Sequence, residues 1–398
     1  MKEKIWKVVE SLRTLWEIFF VALKLGCTSF GGPTAHLGYF QQEYVQKRKW
    51  LSTHDYGQLV MLSQFLPGPA SSQVGMGVGL LRGGVLGSFL SFLGFTLPSV
   101  LILILFAYFS IYTELKMDWI HGLKLVAVAI VAHAIFDMSK KILSTKWHWS
   151  IALLTLITVL TWIHPFAQIA AILIAAFLGF QLLKNDDEGN TSTLVYIPIS
   201  KTTGIVLLAL FFMLLLGLPI ISALWQHEWI AMMEKFYLAG ALVFGGGHVV
   251  LPLLETQFVQ SGQISTSDFL AGYGMTQAVP GPLFTFAAYI GMVIAGVPGA
   301  IIATFAIFLP AFLLVIGALP FWISLSRIAR LRGAMAGANA AVVGILAAAF
   351  IHPIVTQTIL STLDIFIVAV FLWCLIRWEI QPYLLVLLGI VVGIICYT

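Results

Sequence analysis

Gln64-Phe65-Leu66-Pro67-Gly68-Pro69 returns 213 residues later as Gln277-Ala278-Val279-Pro280-Gly281-Pro282. A Pro-Gly-Pro step removes backbone donors and stops a helix. Taken singly it reads as a simple kink. Met twice, each time behind a glutamine, it points to a duplicated backbone device. Outward from it, further landmarks recur in the same order. Phe30-Gly31-Gly32 returns as Phe244-Gly245-Gly246, and Ser52-Thr53-His54-Asp55-Tyr56 as Ser265-Thr266-Ser267-Asp268-Phe269. Leu97-Pro98 returns as Leu309-Pro310, and His121-Gly122 is echoed by Arg332-Gly333. The offset drifts only from 214 to 211. The chain therefore reads as a tandem duplication of about 200 residues per half.

Composition sets the solvent. Of 398 residues, 60% are hydrophobic and 10% charged, whereas a soluble domain carries roughly 25% charged residues. Most of this surface must face lipid. Apolar runs fit that reading, among them Gly84–Tyr112, Leu123–Met138, Phe166–Leu183, Ile205–Leu224, Gly296–Leu319 and Tyr383–Tyr397, since a helical span takes about 20 apolar residues. The net charge of +4 is what basic cytoplasmic loops supply, so it is no sign of nucleic acid. Cys27, Cys374 and Cys396 form no CxxC, which implies neither a disulfide framework nor a metal site. Lys24 ahead of Cys27 argues against a lipoprotein cleavage site, and the N-terminus reads as uncleaved and cytoplasmic.

The polar stretch Lys184–Asn190 separates the halves. Three units follow: an N-terminal repeat over 1–184, a linker with one extra transmembrane helix over 185–228, and a C-terminal repeat over 229–398. One extra span inverts the second repeat relative to the first. Charge placement agrees. Lys140, Lys141 and Lys146 have no basic counterpart near Ile351–Ser361, while Arg327, Arg330 and Arg332 crowd a loop whose first-half equivalent holds only Lys116. The bias switches sides, as the positive-inside rule demands of inverted halves. The expected fold is an all-α polytopic membrane protein with two inverted-topology repeats, broken helices and re-entrant helical hairpins, a construction typical of secondary transporters.

Four breaks define four expected hairpins, at Gly31-Gly32-Pro33, Pro67-Gly68-Pro69, Gly245-Gly246-Gly247 and Pro280-Gly281-Pro282. Irregular backbone at membrane depth persists only inside protein or along a wet cavity. Beyond each break a new half-helix offers free N–H groups and a positive dipole end, which suit an anion. The candidate binding residues are Gly31, Gly32, Thr34, His36, Gln64, Gly68, Ser71 and Ser72 in the first half. In the second they are Gly245, Gly246, Gly247, His248, Gln277, Gly281 and Thr285. Lys24, Glu43, Arg82, Lys124 and Glu255 are candidates for coupling or charge, because ionisable groups in or near a membrane are functional by default. His36 and His248 also fit a capping role, and Ser52 and Ser265 read as helix caps. His133 and Asp137 read as a local interhelical hydrogen bond.

At these motifs the sequence resembles the chromate ion transporter family in its long, two-domain form. The residues that carry the resemblance are Phe30-Gly31-Gly32-Pro33, Gln64–Pro69, Phe244–Glu255 and Gly272–Leu283. The resemblance implies efflux of chromate across the bacterial cytoplasmic (inner) membrane, driven by the proton-motive force, with chromate resistance as the outcome. The implied partners are chromate or a sulfate-like oxyanion, protons and the lipid bilayer, with no cofactor; a homodimer is left open. A sulfate-type importer or an anion channel on the same architecture is the alternative. An intramembrane hydrolase needs a nucleophile–base pair or a metal set, and neither HExxH nor GxSxG occurs. Carboxylate or Cys/His clusters expected of a metal exporter are missing, as is the GxxxxGK[ST] loop of an ATP-driven pump.

Overall fold

The computed structural model describes residues 2–112, 119–162, 167–183, 197–244 and 246–397. Gly245, Lys116 and the stretch 184–190 lie outside them. Helix is the only regular secondary structure among the described residues, and five helices are long and apolar enough to cross a membrane. The chain is an all-α polytopic membrane protein.

The first half begins with α1 (Lys2–Thr28), α2 (Gly32–Phe40), which runs on as a π-helical stretch Gln41–Lys47, and α3 (Thr53–Phe65). Then come α4 (Ala70–Tyr112), α5 (Trp119–Ile142), α6 (Lys146–Thr161) and α7 (Ala167–Leu182). After α8 (Lys201–Trp225) the same order returns. It comprises α9 (Glu228–Leu242), α10 (Val250–Leu254) with a π-helical extension Glu255–Val259, α11 (Thr266–Ala278) and α12 (Phe286–Ala318). The short α13 (Trp322–Ser326) precedes α14 (Ala329–Ala349), α15 (Thr356–Thr358), α16 (Thr362–Arg377) and α17 (Pro382–Tyr397).

Local chemistry explains the boundaries. Ser52 and Ser265 cap α3 and α11, each hydroxyl accepting from an aspartate N–H at 3.0 Å (Asp55 and Asp268). Both helices end where a residue preceding proline is driven to extended backbone: Leu66 at ψ 149° and Val279 at ψ 135°. Gly68 and Gly281 then turn the chain at φ +117° and +105°, angles that glycine alone adopts freely.

The chain reverses at each such turn. Leu59 of α3 packs against Gly77 of α4, and Tyr289 of α12 donates its hydroxyl to the Asp268 carbonyl of α11 at 3.0 Å. Helices α1 and α2 also run antiparallel, tied by Lys24 to Glu43 and by Glu17 to Arg48. Phe236 against Phe258 does the same for α9 and the stretch after α10.

Two further reversals lie inside α4 and α12. A straight helix of 43 residues would be about 65 Å long at 1.5 Å per residue. Instead, Gly84 at φ +64° and Gly296 at φ +63° fold each helix into two arms. The arms of α4 touch where Ser91 Oγ donates to Gly75 O at 2.7 Å and where Gly79 meets Gly87. In α12 the equivalent approach is Gly291 to Gly299. Small residues let helix backbones come this close.

The two halves interlock. Helix α14 packs chiefly on α6 and α7 of the first half, and α5 on α16 and α17 of the second. Glycines sit at the crossings: Gly122 against Gly389, and Gly179 against Gly333 and Gly337. At the centre α4 meets α12, with Phe92 and Phe308 5.1 Å apart. Helix α8 leans on α9 and α12 and otherwise presents an apolar, exposed surface. His133 and Asp137, expected to bond between helices, instead face one another along α5 at 4.0 Å, because residues four apart share a helix face.

Candidate functional site

The two Pro-Gly-Pro tips are each held by the opposite half. Gly68 N donates to Val243 O at 2.7 Å, and Gly281 N donates to Ser29 O at 2.9 Å. Ser29 and Val243 occupy the same place in the two glycine breaks, one residue before Phe30 and Phe244. Both tip amides are thereby taken up by carbonyls, so an anion near them must be met by other donors.

Such donors surround the Gly281 tip. Ser99, on the second arm of α4, donates to Pro280 O at 2.9 Å and is 1% exposed. His36 of α2 is equally buried, pairs through Nδ1 with Ser71 Oγ at 3.2 Å, and stands edge-on to Phe95. The Phe95 carbonyl in turn lies beside Gly281. On these same elements Ser29 Oγ, His36 Nε2, Ser72 Oγ and Gln277 Nε2 are buried without a hydrogen-bond partner among the described residues. Leaving a buried polar group unpaired costs about 1–3 kcal/mol, so native interiors hold few of them and each asks for an explanation. Four on elements converging at one turn form a set of neutral donors, with the N-terminus of the first α4 arm behind Ser71 and Ser72.

The Gly68 tip is built from different side chains. Gln73 Nε2 donates to Pro67 O at 2.8 Å, and Ala311 is its closest neighbour from α12. Around the nearby glycine break, His248 Nδ1 pairs with Tyr273 OH at 2.8 Å, Gly247 packs on Leu283, and Thr285 donates to Pro282 O at 2.7 Å. The remaining candidates spread out: Gly31, Thr34 and Gln64 are exposed, and Gly32 and Gly246 are half-buried. Sequence reasoning missed Ser29 and Ser99. The available signal was the repeat itself, which places Ala311 where the first half has Ser99.

The charged candidates separate into three environments. Lys24, Glu43 and Arg82 belong to one network in which Glu43 receives Arg48 Nε at 2.9 Å and Lys24 Nζ at 3.1 Å. Glu17 receives Arg48 at 3.0 Å and Arg82 at 3.1 Å, and both guanidinium groups lie over Trp50. Lys124 reaches Ser267 Oγ at 3.2 Å, near a second cluster that the sequence did not disclose. There Asp364, 1% exposed, caps α16 and accepts from His121 at 3.1 Å and from the Tyr397 hydroxyl. Glu255 stands apart from both networks. Among the described residues, no group of three or more His, Cys, Asp or Glu is placed to hold a metal.

Comparison with known proteins places this geometry. The chromate transporter family model matches twice, over residues 16–180 and 230–394. The chain belongs to the chromate transporter family. Within that family it is 28% identical to an uncharacterized transporter of Methanocaldococcus jannaschii over 94% of this chain and 93% of that one. It is also 28% identical to a probable chromate transport protein of Synechococcus elongatus, covering 86% and 84% of the two chains. To a chromate transport protein of Pseudomonas aeruginosa the identity is 26%, over 83% of this chain and 79% of that protein. No solved structure matches. The two stretches matched in this chromate transporter family member each run from α1 or α9 to the last helix of their half, leaving α8 between them.

Proposed function

We propose that this protein is a secondary active transporter that exports chromate across the bacterial cytoplasmic membrane, coupled to the proton-motive force. The observation that carries the reading is the group of buried, unpaired donors Ser29, His36, Ser72 and Gln277, carried by the segments that meet between the two Pro-Gly-Pro tips. A tetrahedral dianion accepts hydrogen bonds on every oxygen, and neutral donors in a water-poor interior bind it without lysines whose charge would hold it permanently. Of these, Ser72 lies in the first turn of α4, where the helix dipole favours an anion. Family membership and the relatives' names support chromate as the substrate. Inversion of the two halves, with the N-terminus in the cytoplasm, is supported by the switch in charge bias and by the reciprocal tip bonds.

Sulfate has the same shape and charge, and a site made of neutral donors separates the two poorly. A sulfate-type importer or channel is therefore the alternative. Uptake of labelled chromate and sulfate into energised inverted membrane vesicles, with and without a protonophore, tests both. Chromate accumulation that the protonophore abolishes is the expected result. Accumulation of sulfate alone replaces the substrate, and flux of neither overturns export.

A further inference from the structure

Two buried carboxyl groups sit in the π-helical stretches that follow the two glycine breaks, and their surroundings differ. Glu43, 5% exposed, is enclosed by Lys24, Arg48 and Lys47 at 3.1, 2.9 and 3.7 Å. Glu255, 3% exposed, accepts from the Gln260 amide at 3.1 Å, with the Thr256 side chain as its other hydrogen-bond partner. Among the described residues no cation pairs with it.

Charged groups on the packed elements are occupied elsewhere. From α9, Lys235 reaches Gln263 at 2.9 Å and lies over the Phe258 ring, with Glu234 beside it in the chain. From α11, Asp268 is bound to its cap Ser265. On the preceding segment His248 is tied to Tyr273, and on α5 His133 faces Asp137. On α14, Arg330 lies over Phe180 and Arg332 reaches Ser326 O. Helix α7 contributes no charge, only Gln168, whose amide donates to Thr256 Oγ1 at 2.6 Å. Its own Oε1 is buried and unpaired, and Gln168, Thr256, Gln257 and Leu253 line a small cleft. The rest of that cleft, Ile169, Leu238, Ala239 and Leu242, is apolar, so Gln168 and Thr256 are the polar groups that connect it to the acid.

An ionised carboxylate buried without a counter-charge is strongly disfavoured, and it neutralises by taking a proton. Intramembrane acids in that condition mark proton pathways. We propose that Glu255 is the proton carrier of the transport cycle. Its carboxylate takes up one proton at one membrane face, stays a neutral acid in the conformation described here, and releases that proton at the other face once solvated. Glu43 stays ionised in its basic cage throughout and carries none.

This deepens the proton-coupled reading and rests on it. The test uses the full-length protein in liposomes with two readouts, chromate counterflow at equal pH and chromate accumulation under an imposed pH gradient. The expected result for Glu255→Gln is retained counterflow with accumulation reduced to the equilibrium level, while Glu255→Asp keeps accumulation with a displaced pH profile. Gradient-driven accumulation by Glu255→Gln matching the unaltered protein overturns the proposal, as does joint loss of both readouts in the Gln and Asp variants. A substrate-independent measurement separates this from failure of the chromate reading. Infrared spectra at neutral pH should carry a protonated carboxyl band that Glu255→Gln removes, whatever the transported anion. Persistence of that band unchanged overturns the assignment even where chromate flux is normal.

Discussion

The Gly281 and Gly68 tips share a backbone and differ in several of the side chains around it. Both turn at positive φ, both follow a pre-proline residue in extended conformation, and both donate an amide hydrogen to the break of the opposite half. The first half carries Ser29 and Ser99 at the Gly281 tip where the second half carries Val243 and Ala311 at the Gly68 tip, and Ser71 and Ser72 at the start of α4 correspond to Phe284 and Thr285. Three of the four serines give way to apolar residues, and the fourth keeps its hydroxyl as Thr285. The duplicated scaffold has therefore kept its folding chemistry twice and most of its serine lining once. Substitutions in the scaffold should strike both halves alike, and substitutions in the lining should strike one.

The largest effect is expected at the tips themselves. Gly281→Leu adds bulk that overlaps the Ser99 hydroxyl, and Gly68→Leu presses on Gln73 and Ala311 from 3.1 and 3.2 Å, both at a φ that side chains avoid. Strain of this kind costs about 1–3 kcal/mol before any clash is counted. Both variants should insert in the membrane and lose transport, measured as vesicle uptake normalised to membrane-inserted protein; normal flux in both breaks the tip model. An intermediate effect is expected from the lining. Ser99→Ala leaves Pro280 O without its donor, at about 1–3 kcal/mol, and should lower chromate flux roughly tenfold by the usual conversion of free energy to rate. The reciprocal Ala311→Ser should change flux little, and equal losses from the two variants would erase the asymmetry. The smallest and most even effect belongs to the scaffold. Gly79→Ala and Gly291→Ala each place a methyl group against the backbone of the facing arm, and overpacking costs about 1–3 kcal/mol. Both should lower the thermal midpoint of the detergent-solubilised protein by similar amounts. A shift confined to one would show that the arms of α4 and α12 are not equivalent.

Much of the backbone was legible because its signals are local. Proline and glycine set the breaks, serine and aspartate set the caps, and the limits Gly84 and Gly296 of two apolar runs fall on the reversals inside α4 and α12. The reversals were less plain, since each is marked only by one residue beside the glycine, Arg82 before Gly83-Gly84 and Pro298 after Ala295-Gly296. The exchange of α5 and α14 between halves was equally hidden, because glycine crossings such as Gly122 on Gly389 join residues far apart in sequence and leave no periodic trace. At the site, His36, Ser71, Ser72, Gln277 and Gly281 were named from the breaks and lie on elements that converge. Thr34 and Gln64 were named on the same grounds and are exposed, because proximity to a break does not decide which face of a helix points inward. Glu43 and Glu255 looked alike in sequence; only the fold shows three cations around one and, among the described residues, none paired with the other.

The reciprocal bonds from Gly68 to Val243 and from Gly281 to Ser29 bear on assembly. Each half carries an amide donor whose acceptor is encoded some 200 residues away, on the other side of the α8 linker. In hydrocarbon, with no water to substitute, an unmet amide is among the more expensive defects a helix turn can have. Neither half therefore contains a complete turn of its own. Severed between α7 and α8, the two pieces would find in one another the acceptors that each lacks, so each Pro-Gly-Pro turn is also a clasp that makes two repeats a single protein.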